Sequence, residues 1–439
     1  MLQLQSLLGI FVFIGIAFLF SNNKNKISWK IVISGVALQL GLALLVLGVP
    51  SLGFTGPLKF FFSAANDIIL KMLNFTEKGS GFLLGDLVNP QKSGFIIVFQ
   101  VLPIIIFLSS LMTVLYHLGI MQWIVNVFAR LMQKVLKLSG AESLAAAANV
   151  FVGQTEAPLV VKPYLNKMTK SELFSLMTGG MATIAGSVMA AYVGLLKDVI
   201  PNIGGHLLTA SILSAPAALV VAKIMVPETE TPETLGSIPK EKEKQYINVI
   251  EAAAAGASDG LKLMANVAAM LLAFVALIAM LDALVIWSSG QLMAALDWIY
   301  QGSHAGITET GETIEASQSY IDLASILSVV FTPIAFFLGI PLGDLSAAGS
   351  MIGKKIVFNE FIAYLDLAKL TQELNPRTSI ILSYALCGFA NFSSIAIQIG
   401  GIGPMIPHRK KELAQFGIRS VIGGSLAAFM TASLAGLLI

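Results

Sequence analysis

The sequence predicts an all-α polytopic membrane protein, and three observations carry that reading. Of 439 residues, 56% are hydrophobic and 12% are charged, about half the charged share of a soluble domain, and mean hydropathy is +0.82. The apolar residues gather in stretches of about 20, the length a helix needs to cross roughly 30 Å of hydrocarbon. Several stretches are interrupted midway by glycine, proline, amide and carboxylate residues. Membrane backbone tolerates such breaks only where it lines a cavity or is covered by protein. The prediction is about eight transmembrane helices, two re-entrant helical hairpins of opposite orientation, two discontinuous helices and interfacial helices.

Residues 7–20 and 31–49 read as the first two spans, separated by a loop holding Lys24, Lys26 and Lys30. Residues 50–93 mix apolar runs with Lys59, Asp67, Lys71, Glu77 and Lys78, which suits an interfacial segment rather than a span. Residues 94–120 make a third span. Residues 121–138, with Trp123, Arg130, Lys134 and Lys137, make a basic amphipathic helix on the membrane face.

Residues 141–164, AESLAAAANVFVGQTEAPLVVKPY, follow as the first hairpin. Each apolar half is too short to cross the membrane. Asn149, Gly153, Gln154, Thr155, Glu156 and Pro158 lie close together between the halves. Residues 171–196 are a span unwound at TGGMATIAGS, and 206–226 are an intact span.

The second half repeats the plan. Residues 248–261 are an amphipathic lead-in, 263–287 a span, and 288–320 a polar segment with Glu309, Glu312 and Glu315 and no Lys or Arg. Residues 321–340 and 350–364 make a second hairpin bent around Gly339, Pro341 and Gly343, with Asn359 and Glu360 in its return arm. Residues 379–402 are a span broken by CGFANFSS and GGIGP, and a last span runs to Ile439. The chain therefore divides into 1–140 (mostly scaffold), a first repeat 141–226, a cytoplasmic linker 227–247, an interfacial helix, span and outer polar segment 248–320, and a second repeat 321–439. Lys and Arg cluster at 24–30, 130–137, 223–244 and 408–411. The positive-inside rule then puts these in the cytoplasm, both termini outside, and the two hairpin mouths on opposite sides. Inverted repeats with discontinuous helices and a mid-membrane polar site are the pattern of secondary transporters.

Enzymatic chemistry finds no support. Cys387 is the single cysteine, the four histidines show no ligand spacing, and no basic run with interleaved aromatics points to nucleic acid. GASDG at 256–260 matches a serine-hydrolase pattern, but a nucleophile elbow needs a preceding strand, and this segment is an alanine-rich helix.

Glu156 and Glu360 are the sharpest functional signals. A carboxylate facing lipid costs about 2.5–3.5 kcal/mol on insertion scales, so one at membrane depth points to a site. Both stand beside amides, Gln154 and Asn359, in matching places of the two repeats. Carboxylates and amides accept from and donate to hydroxyls and heterocyclic N–H groups. Such a set suits a neutral, polyhydroxylated or base-bearing substrate better than an anion. Thr178, Thr183, Ser393 and Ser394 in the broken spans, with unwound carbonyls, are oxygen donors for a coupling cation. Ser187 reads as a packing residue.

At GQTEAPL (153–159), NEFIAY (359–364) and CGFANFSSIAIQIGGIG (387–403) the chain resembles the concentrative nucleoside transporter family, over nearly its whole length. The resemblance implies a homotrimer in the cell membrane, whose protomers each carry a fixed scaffold and a transport domain moving as an elevator. By motif match, Gln154, Thr155, Glu156 and Val188 would contact the nucleobase. Glu360, Asn391 and Ser394 would hold the ribose hydroxyls, and Phe389 would line the pocket. A coupling Na+ would sit at Asn149, Val152, Thr183 and Ile184, mostly on carbonyls. Sodium-coupled members usually carry Ser at position 183; Thr keeps the hydroxyl and adds a methyl. The resemblance implies nucleoside and membrane lipid as partners, no nucleic acid and no organic cofactor. A proton-coupled nucleoside symporter and a nucleobase or sugar carrier stand as alternatives.

Overall fold

The computed structural model describes residues 1–237, 246–301 and 322–439, which are helical apart from two isolated β-bridges. The chain opens with α1 (Leu2–Leu19), α2 (Trp29–Leu47), α3 (Lys59–Leu84), the short α4 (Pro90–Ser93) and α5 (Ile97–Gln100), α6 (Pro103–His117) and α7 (Ile120–Leu136). The hairpin arms α8 (Gly140–Asn149) and α9 (Ala157–Val160) come next, then a broken helix, α10 (Lys170–Ala182) and α11 (Gly186–Leu196), and the intact α12 (Ile203–Met225). The second half holds α13 (Val249–Gln301), α14 (Leu323–Phe337), α15 (Leu345–Val357), α16 (Glu360–Leu370), the broken pair α17 (Pro376–Ala385) and α18 (Phe392–Ile402), and α19 (Lys410–Leu438). The run α6–α12 thus matches α13–α19 element for element.

Among the described residues, seven helices or helix pairs are long and apolar enough to cross a membrane. Shorter apolar helices are α14 and α18, the second of them the later half of the broken pair α17–α18. The apolar windows of α12, α19 and α10–α11 are 94%, 89% and 83% buried, against 28% in α1, α2 and α6. The broken helix α10–α11 and the last helix of each repeat therefore lie in the protein-covered centre, while α1, α2 and α6 leave most of their windows uncovered. This is where unwound backbone is tolerable, because no lipid reaches it.

Two polar assemblies close the ends of the bundle. At one end α8 and α10 each start with a capping box, Ser139 with Glu142 and Thr169 with Glu172. Ser139 Oγ donates to Glu172 Oε1 at 2.5 Å, and Lys223 Nζ pairs with Glu142 Oε2 at 2.7 Å. Arg419 donates there to the carbonyls of Phe20 and Met225, covering the ends of α1 and α12. At the other end Arg377 donates to the carbonyls of Gly339, Gly436 and Ile439, and Asp344 accepts from Asn375 N and Thr378 Oγ1. Cationic groups on helix C-termini satisfy orphan carbonyls and oppose the dipole. The mouth of the first hairpin lies at the Arg419 end and that of the second at the Arg377 end, where both chain termini also lie. The two hairpins open oppositely, as expected.

Two boundaries differ from the sequence reading. The second hairpin does not turn around Gly339, Pro341 and Gly343. That turn joins α14 to α15; the arms that match α8 and α9 are α15 and α16, joined at Phe358–Asn359. Gly and Pro do end a helix there, but the tip is made by Asn359, whose side chain accepts from Ile362 N at 3.0 Å as the N-cap of α16. The lead-in 248–261 is not a separate interfacial helix but the first turns of the 53-residue α13. The linker 227–247 is anchored at its start, where Thr234 O and Oγ1 accept from Gly140 N and Ala141 N and hold it at the root of the first hairpin. The rest of that linker, 238–245, and the acidic residues Glu309, Glu312 and Glu315 lie outside the described residues.

The GASDG segment has a plain structural role. A Cβ on Gly256 would meet Ser109 O at 2.7 Å, and one on Gly260 would meet Ile106 Cα at 2.7 Å. The two glycines, four apart, form the seam along which α13 lies against α6, the small-residue contact that lets membrane helices approach closely.

Candidate functional site

Four interruptions meet at the centre. The tip of the first hairpin touches the first break, where Gly186 N donates to Phe151 O at 2.9 Å. The first break touches the second, where Phe389 N donates to Thr183 O at 3.3 Å. Asn391 caps α18, accepting from Ser394 N at 2.9 Å, and its Nδ2 donates to Glu360 Oε2 at 2.9 Å. The breaks thus share backbone hydrogen bonds with one another, which satisfies part of the polarity exposed by unwinding.

These segments enclose a cavity of about 680 Å³, counting its open side. All eight residues expected to hold substrate border it: Gln154, Thr155, Glu156, Val188, Glu360, Phe389, Asn391 and Ser394. Leu263, Val267, Met270 and Leu271 of α13 supply an apolar wall opposite. An apolar wall with a few convergent polar groups is the usual form of a small-molecule site.

Glu360 is 6% exposed and is the first residue of α16, where the helix dipole favours a negative charge. Tyr192 Oη donates to its Oε1 at 2.7 Å, and Asn391 to its Oε2. A carboxylate has about four lone-pair sites, so both oxygens keep capacity for two adjacent hydroxyls. Glu156 also borders the cavity, and its Oε2 would lie 2.3 Å from a Cβ on Gly153. A side chain at 153 would have to displace that carboxylate, which ties the glycine to the position Glu156 takes. Gln154 Nε2 donates to Ser394 Oγ at 3.2 Å, while its Oε1 is buried without a partner. The amide carbonyl is therefore an acceptor kept ready inside the site.

The residues expected to hold a cation sit behind the cavity and do not border it. Asn149 is 1% exposed, and neither polar atom of its side chain has a hydrogen-bond partner. It lies beside the glycines of the first break, with a Cβ on Gly179 falling 3.3 Å from its Nδ2. Thr183 Oγ1 donates to Gly179 O at 2.9 Å, leaving oxygen lone pairs free. Ile184 is fully buried and Val152 partly so, and neither carbonyl accepts a backbone hydrogen bond from the described residues. An orphaned buried amide among unengaged carbonyls is an all-oxygen donor set, which suits a hard cation.

Three families of models match the chain in order. "Na+ dependent nucleoside transporter N-terminus" matches residues 8–87, "Nucleoside recognition" residues 98–199, and "Na+ dependent nucleoside transporter C-terminus" residues 206–436. The chain belongs to the concentrative nucleoside transporter family. An uncharacterized transporter of Haemophilus influenzae is 44% identical, over 99% of this chain and 98% of that one. Nucleoside permease NupC of Helicobacter pylori is 38% identical over 100% and 98%. Human solute carrier family 28 member 3 is also 38% identical, but this chain spans 60% of its length. The solved structure of CNTnw in an inward-facing substrate-bound state superposes with a TM-score of 0.85 at 40% identity, over 100% of this chain and 98% of that one. A variant of CNTnw in an outward-facing state gives 0.84.

Sequence reasoning missed two residues of this transporter's centre. Tyr192 lies four residues after Val188, one turn along the same face of α11; that spacing was the available signal. Lys355 lies in KKIVFNEF, four residues before the cap Asn359 and fully buried; nothing in the spacing separates it from Lys354, which pairs with Asp366 at 2.6 Å.

Proposed function

We propose that this chain is a cation-coupled nucleoside symporter that imports nucleosides into the cell, with Na+ as the coupling ion. The observation that supports this most is that Glu360, paired with Tyr192 and Asn391, borders the same cavity as Glu156 and Gln154. Glu360, Asn391 and Ser394 would take the ribose hydroxyls, with Phe389 against the sugar. Gln154, Thr155, Glu156 and Val188 would take the base. Na+ would lie on Asn149, Val152, Thr183 and Ile184, where its charge also eases the burial of Glu156 and links ion binding to substrate binding.

In this reading the two hairpins, the two broken helices and the intact helices α12 and α19 move as one body against a scaffold built from residues 1–140 and α13. This elevator provides alternating access, and the protein works as a homotrimer in the cell membrane. Both termini are extracytoplasmic, since Lys and Arg gather at the opposite end of the bundle.

Purified protein in liposomes tests the reading. Uridine should accumulate under an inward Na+ gradient with no pH gradient, and be recovered unmodified. Glu156→Gln and Glu360→Gln should each abolish accumulation while inserting normally. Accumulation driven by a proton gradient alone would remove the Na+ assignment. Competition by uracil or ribose as strong as by uridine would favour the nucleobase or sugar reading.

A further inference from the structure

Gln398 on α18 is 0% exposed and does not border the cavity. Its Nε2 donates to Met177 O on α10 at 2.9 Å, and its Oε1 has no hydrogen-bond partner among the described residues. An orphaned amide oxygen buried at membrane depth is costly, and none of the roles described so far uses it.

Its neighbour gives it a purpose. A Cβ on Gly180 would meet Gln398 Nε2 at 2.9 Å and Gln154 Cβ at 2.8 Å, so the two glutamines flank the same bare glycine. Gln154 crosses from there to α18, where its Nε2 donates to Ser394 Oγ, one helical turn before Gln398. Ser394 does not by itself decide which end of the Gln154 amide meets it, because a hydroxyl rotates to accept from an N–H or to donate to a carbonyl oxygen. The Met177 carbonyl only accepts. It therefore holds the Gln398 amide with Nε2 toward α10 and leaves Oε1 as the free end. A free carbonyl oxygen beside Gln154 attracts an N–H and repels a second carbonyl oxygen, most strongly in a low-dielectric interior. It favours the orientation seen, with Gln154 Nε2 on α18 and Oε1 unengaged. We propose that Gln398 is a positioning residue that sets which end of the Gln154 amide is offered to the nucleobase. Uracil and cytosine rings exchange donor and acceptor along one edge, so an amide held one way round separates them and one free to turn does not. This role rests on the reading above, in which Gln154 meets the base.

Gln398→Met keeps the length of the side chain and removes both polar ends. Inhibition of labelled uridine uptake into liposomes by uridine, cytidine, adenosine and inosine measures base discrimination. Inhibition by 2′-deoxyuridine and 3′-deoxyuridine measures sugar recognition. In the unaltered protein, inhibition should differ across the base set by about fivefold or more, the scale of one hydrogen bond. In Gln398→Met that spread should narrow about fivefold, while the two deoxyuridines keep their standing relative to uridine. A loss of packing alone would move both sets together. An unaltered protein without such a spread, an unchanged spread in the variant, or sugar ratios that move with the base set overturns the proposal. If Gln398→Met fails to insert, Gln398→Asn decides by the same criteria, since it keeps the amide but draws it one methylene back from Met177 O. Failure of the nucleoside reading looks different: none of the nucleosides would then accumulate in liposomes holding the unaltered protein.

Discussion

Tyr192 of the first repeat and Glu360 of the second are joined by a 2.7 Å hydrogen bond. The ring of Tyr192 is wedged against Tyr364, with centroids 4.5 Å apart, and against Phe361 at 5.5 Å. The hydroxyl is thus held rigidly on one carboxylate oxygen, and the other is held by Asn391. Preorganisation of this kind lowers the ordering that substrate binding must otherwise supply.

Tyr192→Phe keeps the ring contacts and removes one donor from a buried carboxylate. Hydrogen bonds to charged groups contribute about 1.5–3 kcal/mol. The KM for uridine in liposome uptake should rise about tenfold or more, with insertion unchanged. An unaltered KM would mean that Tyr192 does not orient Glu360.

Gly153→Ala tests the crowding at the first tip. The added methyl would lie 2.3 Å from Glu156 Oε2, so the carboxylate must swing away. Overpacking of this kind costs about 1–3 kcal/mol. Uridine uptake should fall severely while size-exclusion profiles stay normal. Retained uptake would show that Glu156 need not occupy its present position.

Along the α13–α6 seam, Gly260→Val should lower the unfolding temperature in detergent, because its Cβ would press on Ile106 Cα at 2.7 Å and Ser109 Cβ at 2.9 Å. Ser258→Ala, within the same five residues, should leave both stability and transport unchanged. Loss of transport in the serine variant would revive the nucleophile reading of GASDG.

Lys223 and Glu142 are 3% and 1% exposed in their side chains. Removing one member of a buried pair leaves an uncompensated charge, a loss of about 3–5 kcal/mol. Lys223→Met should therefore be strongly destabilised in thermal unfolding. Lys223→Met combined with Glu142→Gln should recover much of the loss, and a fully additive double variant would deny the pair any coupling.

Much of the fold was legible because membrane helices announce themselves by length and hydropathy, and because the breaks are written in small and polar residues. The break falls inside TGGMATIAGS, but only residues 183–185 are unwound, with Thr183 the cap of α10 and Ala185 that of α11. The second hairpin was read too early because the turn at Gly339, with φ +81°, is a stronger local signal than an asparagine cap. The cap governs the tip because it supplies the hydrogen bond that starts α16.

By itself the sequence determined the membrane class, the two-repeat plan and the polar clusters around Glu156 and Glu360; family motifs supplied the full set of eight expected substrate residues, all of which border the cavity, and the roles proposed for them. Tertiary structure alone decided which groups meet: Tyr192 with Glu360, Thr183 with Phe389, and the Lys355 ammonium with the face of the Phe429 ring. Hydropathy and spacing report how each segment partitions between lipid, water and protein, a property of the segment. Contacts between residues 168 positions apart depend on how two folded repeats cross, and no local preference encodes that crossing.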